Sequence, residues 1–333
     1  MFDNKYLYSV TRTRVLETKL LDSTKVDRMV EASSADDVIK ILGETEYANS
    51  ISEMKHSLDY ETIISMEIEN TYKYMRKILP EPELVDIFLL KYDIHNLKVL
   101  LKSSLLGEDN DFLLRDLGTV PVSKLKEILK EKDFRTLHPV IIAGLEELFI
   151  SFESTPDPQM IDIVLDRCQY NTMYQLAMKS KNKFLQDFIK SQIDMINIKS
   201  FLRVKGAGLG RDYLVKVLLD NGNLEISYFE KYLDESLDSF KDNLRTSAFH
   251  NVLEEGLENY DRDKSLTRLE KLADDYIFNI AKQGKFVAFG IEPLVGYLMA
   301  KENEAKIIRI IMVGKMNNIP NDIIRERLSD VYV

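Results

Sequence analysis

The chain has 333 residues, 45% hydrophobic and 30% charged, with a formal net charge of −10; that length accommodates two or three compact units. Only 13 Gly and 8 Pro argue against turn-rich β-sandwiches and barrels, and the acidic balance argues against a nucleic-acid partner. The one cysteine, Cys168, excludes an internal disulfide and a cysteine-based metal site, and its helical setting reads as a small buried hydrophobe.

The opening Met1-Phe2-Asp3-Asn4-Lys5 is charged and has no hydrophobic stretch behind it, so it does not read as a signal peptide. Ile64, Ile68, Tyr72, Met75 and Leu79 alternate steps of four and three, which predicts a helix from His56 to Leu79. Pro80-Glu81-Pro82 stops it, and a second helix runs from about Glu83 to Leu106, folding back as an antiparallel hairpin. The layout recurs at Gln159–Met178 followed by Lys183–Lys205, and again at Leu266–Gln283 followed by Ile291–Met316, the last with an interruption or bend expected near Lys301. No period-2 strand stands out; the alternation in 223–227 is too brief. No apolar run approaches the ~20 residues that cross a bilayer, so the chain is expected in the cytosol, with any membrane association through a partner. The expected fold class is all-α.

The sequence repeats itself at a spacing of about 100 to 112 residues. Asp93, Asn96 and Lys98 are matched by Asp194, Asn197 and Lys199, both reading Asp-x-x-Asn-x-Lys within an apolar helix. A third, degraded copy keeps acid and base as Glu304 and Arg309, with Ile307 at the Asn position. Gly118–Leu125 matches Gly222–Phe229, Arg135-Thr136 matches Arg245-Thr246, and Gly144-Leu145-Glu146 matches Gly256-Leu257-Glu258. Asp59, Asp166 and Asp274 sit at comparable places on the first long helices. The chain therefore reads as three helical units, 1–117, 118–221 and 222–333, stacked as an open array or closed about an approximate three-fold axis into a ring or funnel with a central concavity. Asp93 and Asn96 share a helix face, whereas Lys98 lies about 140° round from Asp93 and cannot pair with it. Their recurrence favours interhelical bonds that set the register of each unit over a partner-binding hot spot.

Little chemistry stands out. His56, His95, His138 and His250 form no metal or catalytic motif. Lys205–Arg211 resembles a phosphate loop but lacks the Gly-Lys-Ser/Thr ending and follows a helix, so it reads as a helix-to-helix connection. Asn259, Asp261, Asp263 and Glu270 have calcium-loop spacing, yet Lys264 replaces the turn glycine and opposes a cation. No catalytic residue, cofactor site or metal site is expected.

Tyr8, Arg12, Arg14, Leu20-Leu21, Ile41–Tyr47, the two Asp-x-x-Asn-x-Lys copies, Pro293, Tyr297, Lys301, Glu302, Glu304, Ile308, Arg309, Ile311, Lys315, Ile323 and Arg327-Leu328 together carry a resemblance over the whole length. The chain resembles the C subunits of archaeal and bacterial V/A-type rotary ATPases, the equivalents of the d subunits of eukaryotic vacuolar ATPases. The resemblance implies a funnel of three pseudo-repeated units between the central shaft and the membrane ring of proteolipid subunits. It implies a non-catalytic rotor part, one copy per complex, on the cytoplasmic side of the membrane. Such a part passes torque between ATP hydrolysis or synthesis and H⁺ or Na⁺ transport. Two other readings are a free-standing helical repeat scaffold that holds a protein in its concavity, and a helical enzyme with a carboxylate site there.

Overall fold

The computed structural model describes residues 4–51, 59–154 and 157–333, and among them every regular element is helical. In chain order the α-helices are α1 (Leu7–Glu17), α2 (Ser23–Glu31), α3 (Ala35–Leu42), α4 (Ala48–Ile51), α5 (Tyr60–Ile78), α6 (Asp86–Leu106), α7 (Val122–Glu131), α8 (Pro139–Ser154) and α9 (Pro158–Lys179). They continue as α10 (Lys183–Gly206), α11 (Arg211–Val217), α12 (Ile226–Tyr232), α13 (Leu237–Asn243), α14 (His250–Gly256), α15 (Tyr260–Asp263), α16 (Thr267–Lys282), α17 (Glu292–Met316) and α18 (Asn321–Arg327). The long helices lie where the apolar period predicted them, except that the expected start of the first, His56 to Leu58, falls outside the described residues. Residues 223–227 form a turn and the first residues of α12 rather than a strand.

Side chains set the boundaries. Asp22, Ser34, Asn182 and Ser236 each accept a backbone N–H of the first turn they precede, supplying the partner that a helix start lacks. Asp157 does the same for Gln159, with Pro158 in the first turn. α6 ends at Gly107, whose φ of 68° lies in the left-handed region that glycine adopts most readily.

The chain divides into two compact units, residues 1–82 with 271–333 and residues 83–270. In the first, α17 packs on α1, α2, α3, α5, α18 and the short turn Gln283–Phe286. Being surrounded, it buries residues on every side, including Leu294, Tyr297, Leu298, Ile308 and Ile311. It runs unbroken, so the expected interruption at Lys301 is overturned: the charged run there is buried against other charges instead of turning out to water. In the second unit α6 packs on α9, and α9 on α8 and α10. α9 and α10 are joined by residues 180–182 only, which makes them antiparallel. An aromatic cluster fills the space between α10, α12 and α13, with the rings of Phe201 and Phe240 4.6 Å apart and Phe201 and Phe229 5.7 Å apart.

Candidate functional site

The recurring Asp-x-x-Asn pair does the same work twice. In α6, Asp93 is buried; its carboxylate accepts the backbone N–H groups of Thr119 and Val120 at 3.0 Å each and the Thr119 hydroxyl at 2.7 Å. In α10, buried Asp194 accepts the Leu224 N–H at 3.0 Å and the Asn223 side-chain amide at 2.8 Å. One turn along, Asn96 donates to the Arg115 carbonyl at 2.7 Å and accepts the Arg115 N–H at 2.9 Å. Asn197 makes the same two bonds to Leu219, both at 2.8 Å. Each pair holds an extended loop at two points five residues apart and delivers the next helix, α7 or α12. Burial pushes both aspartates above the ordinary carboxylate range, opposed by the hydrogen bonds they accept.

The loops show why Gly118 and Gly222 match. A Cβ on either would fall inside van der Waals distance of the Asp93 or Asp194 carboxylate, so the close approach requires glycine.

The third copy uses the start of the chain. Glu304, on α17, accepts the backbone N–H of Leu21 and, at 3.1 Å, the Tyr47 hydroxyl. Leu21 precedes the N-cap Asp22 of α2, as Val120 precedes Pro121 of α7 and Leu224 precedes Glu225 of α12. The short helices then match in register: Val26, Leu125 and Phe229 are buried five residues on, and Met29, Ile128 and Tyr232 eight residues on. Ile307 follows from this arrangement. The residue five before Leu21 is Leu16, inside α1, whose carbonyl already accepts the Thr18 and Lys19 N–H groups. No open loop backbone needs an asparagine there, and Ile307 is fully buried.

Glu304 also meets a buried cation that the other copies lack. Lys301, 3% exposed, contacts Glu304 and Glu67 at 2.9 Å each and lies 4.6 Å from the centre of the Tyr47 ring. Burial disfavours its charge, but Glu304, Tyr47 and Glu67 outweigh that and hold the ammonium above the usual lysine range. Burial first, and Glu304 next, push the Tyr47 hydroxyl well up.

The bases beyond the acids link long helices. Lys98 contacts Asp166 at 2.7 Å and Asp162 at 3.6 Å; Lys102 contacts Asp162 at 2.7 Å. Arg203, the counterpart of Lys102, pairs with Glu270. Lys199 is half-buried on α10. Arg309 binds Glu61 at 2.8 Å, and Asp59 stands just before α5.

The remaining candidates are placed simply. Lys205 donates to the carbonyls of Tyr232, Leu233 and Glu235, tying down the end of α12, so its ammonium does not face a phosphate. Glu270 of the calcium-like spacing is taken by Arg203, while the side chains of Asp261 and Asp263 lie outside those described. His95 contacts the Leu113 carbonyl at 2.9 Å, His138 is held below the ordinary histidine range by burial, and His56 lies outside the described residues. Cys168 is buried, 3.4 Å from the Val140 carbonyl, its thiol pushed up by burial to about 11. Among the described residues no group of three His, Cys, Asp or Glu is arranged to hold a metal, and no helix is long and apolar enough to cross a membrane.

Comparison with known proteins agrees in length and class. The family model described as ATP synthase (C/AC39) subunit matches residues 9–327. The C subunit of the A-type ATP synthase of Methanocaldococcus jannaschii is 26% identical over 345 residues, covering 97% of this chain and 86% of its own. The C subunit of the V-type sodium ATPase of Enterococcus hirae is 27% identical over 320 residues, covering 95% of both. The C subunit of the A-type ATP synthase of Methanosarcina acetivorans is 27% identical, covering 98% of this chain and 93% of its own.

Proposed function

This chain belongs to the ATP synthase (C/AC39) subunit family, and from that membership we propose that it is a non-catalytic rotor component joining the central shaft of an ion-translocating ATPase to its proteolipid ring. It transmits torque between ATP hydrolysis or synthesis and H⁺ or Na⁺ movement, on the cytoplasmic side of the membrane, one copy per complex. The funnel of three repeats belongs to the same proposal. Each repeat would begin at α2, α7 or α12 and end with the long helix whose acid holds the start of the next, Glu304 returning to the first.

The observation that supports this reading is the way each short helix is fixed. A torque coupler must not slip. Apolar packing alone is non-directional, whereas a carboxylate bonded to chosen backbone N–H groups admits one register. Such buried bonds contribute stiffness at a desolvation cost, which suits a part under mechanical load better than a free-standing adaptor.

The test is a tagged pull-down of the full chain from native membranes in mild detergent, with every co-purifying protein identified. Recovery of a small proteolipid, a coiled-coil shaft protein and ATPase activity supports the rotor reading. Recovery of the chain alone, or with soluble partners only, discards it in favour of a scaffold.

A further inference from the structure

The 83–270 unit has a cavity of about 460 Å³ between the end of α6, α7 and α8. Its walls are Leu100, Leu101, Leu105, Leu129, Phe149 and Phe152, of which only Leu101 is fully buried. Five large apolar side chains thus stand half-covered around unfilled space. Native interiors close-pack such groups, because each missing neighbour forfeits dispersion and leaves apolar area in water. The volume lies in the range of small-molecule sites, roughly 300–1,000 Å³.

The polar groups lining this cavity are one hydroxyl, Ser104, and three cations, Lys126, Lys130 and Lys132. Lys126 is engaged by Asp111 at 2.5 Å. Lys130 and Lys132 are exposed and make no ion pair among the described residues; Lys132 stands 4.9 Å from the centre of the Phe149 ring. In a chain of net charge −10, every charged residue that lines the cavity is a lysine. Apolar walls with cations among the lining ask for a ligand with an alkyl body and an anionic head.

We propose that this cavity binds a single-chain anionic amphiphile, a medium- or long-chain carboxylate, with its alkyl chain among the leucines and phenylalanines and its head at Lys130 and Lys132. The free amphiphile fits better than a bilayer lipid: the cavity opens to solvent on one side and has room for one chain, and the lysines are few and local where a membrane surface engages a broad basic field. The site is separate from the acid-held loops and does not depend on the rotor reading.

The test is calorimetric titration of the purified full-length chain with octanoate, decanoate and dodecanoate below their micelle concentrations. Acetate, decanol and vesicles containing phosphatidylglycerol serve as comparators. Affinity should rise about fourfold per added methylene until the cavity is full; decanol should bind more weakly than decanoate, and acetate and vesicles should not bind. The Lys130→Glu/Lys132→Glu double variant changes only exposed side chains and should weaken decanoate at least about tenfold. The Ser104→Leu variant, which narrows the cavity at its edge, should weaken decanoate binding. The proposal fails if no carboxylate binds saturably, if both variants bind decanoate as the parent does, or if vesicles or an acidic amphipathic peptide bind where the carboxylates do not. Should Ser104→Leu lose its far-UV helical signal, the lysine variant and the chain-length series decide alone.

Discussion

The carboxylate of Glu304 accepts the backbone N–H of Leu21, a residue 283 positions earlier in the chain. The two ends of the sequence are thereby held by the kind of bond that Asp93 and Asp194 make to the loops just after their own helices.

Removing an acid of this type should cost more than removing an exposed ion pair. Asp93→Ala leaves two backbone donors and a hydroxyl without their acceptor, and is expected to destabilise by about 2–4 kcal/mol. Lys98→Met removes a contact to the half-exposed Asp166 and should cost less than about 1 kcal/mol. Urea unfolding of both variants checks the order; a larger loss for Lys98→Met would show that the loops are held by something else.

The raised titration of Asp93 and Asp194 has a sign that can be measured. A carboxyl raised in the folded state favours folding when protonated, and that contribution is lost as pH climbs from the ordinary carboxylate range through the folded value. The stability advantage of the parent over Asp93→Asn should therefore be larger near pH 4 than near pH 8. An advantage that grows with pH would mean that hydrogen bonding, not burial, dominates the shift.

Ile307→Asn restores the repeated motif in letters only. The amide would enter a fully buried site beside a helix whose backbone is already satisfied, at a cost of about 2 kcal/mol or more. The reverse change, Asn197→Ile, strips both Leu219 groups of their partners and should cost a similar amount. Thermal denaturation that finds Ile307→Asn neutral would remove the explanation for the missing asparagine.

Lys301→Met should leave Glu304 and Glu67 as uncompensated buried carboxylates and cost about 3–5 kcal/mol at neutral pH. The parent's raised lysine keeps its full contribution below the ordinary lysine value and loses it only as pH rises through the still higher folded one, so that contribution is constant across the neutral range. Urea unfolding at neutral pH checks the prediction; a loss below about 1 kcal/mol would count against a buried charge cluster.

Cys168 offers an independent probe of the 83–270 unit. With its thiol pushed up to about 11 and buried, alkylation by iodoacetamide near pH 8 should be on the order of a hundredfold slower in the folded chain than in urea. Equal rates would place the thiol at the surface.

Much of this is written in the sequence, and the gaps have physical causes. Helix positions follow from apolar spacing because residues three and four apart share a helix face and are buried together, as Ile64, Ile68, Tyr72 and Met75 are in α5. Asp93, Asn96, Asp194 and Asn197 are visible because identical backbone partners demand identical side chains. The first copy of the loop, Leu20-Leu21-Asp22-Ser23, stays hidden. Its acid lies near the other end of the chain, and a comparison that keeps copies in linear order does not pair the beginning with the end. The loop also carries no glycine, since Glu304 is one methylene longer than aspartate. Lys301 misleads because a lysine between acids normally marks a wet surface, and only the position of Glu67 on α5 shows that it is enclosed.

The unit made of residues 1–82 and 271–333 also constrains how the protein is made. A ribosome releases Leu21 long before Glu304 exists, so α1 to α5 must wait for α17, their shared neighbour. Residues 83–270 emerge meanwhile as one continuous stretch and have all of their own helices to pack against. The middle of the chain is thus positioned to mature during translation. The first eighty residues, with apolar faces awaiting a helix not yet synthesised, are the segment most in need of chaperone protection until synthesis ends.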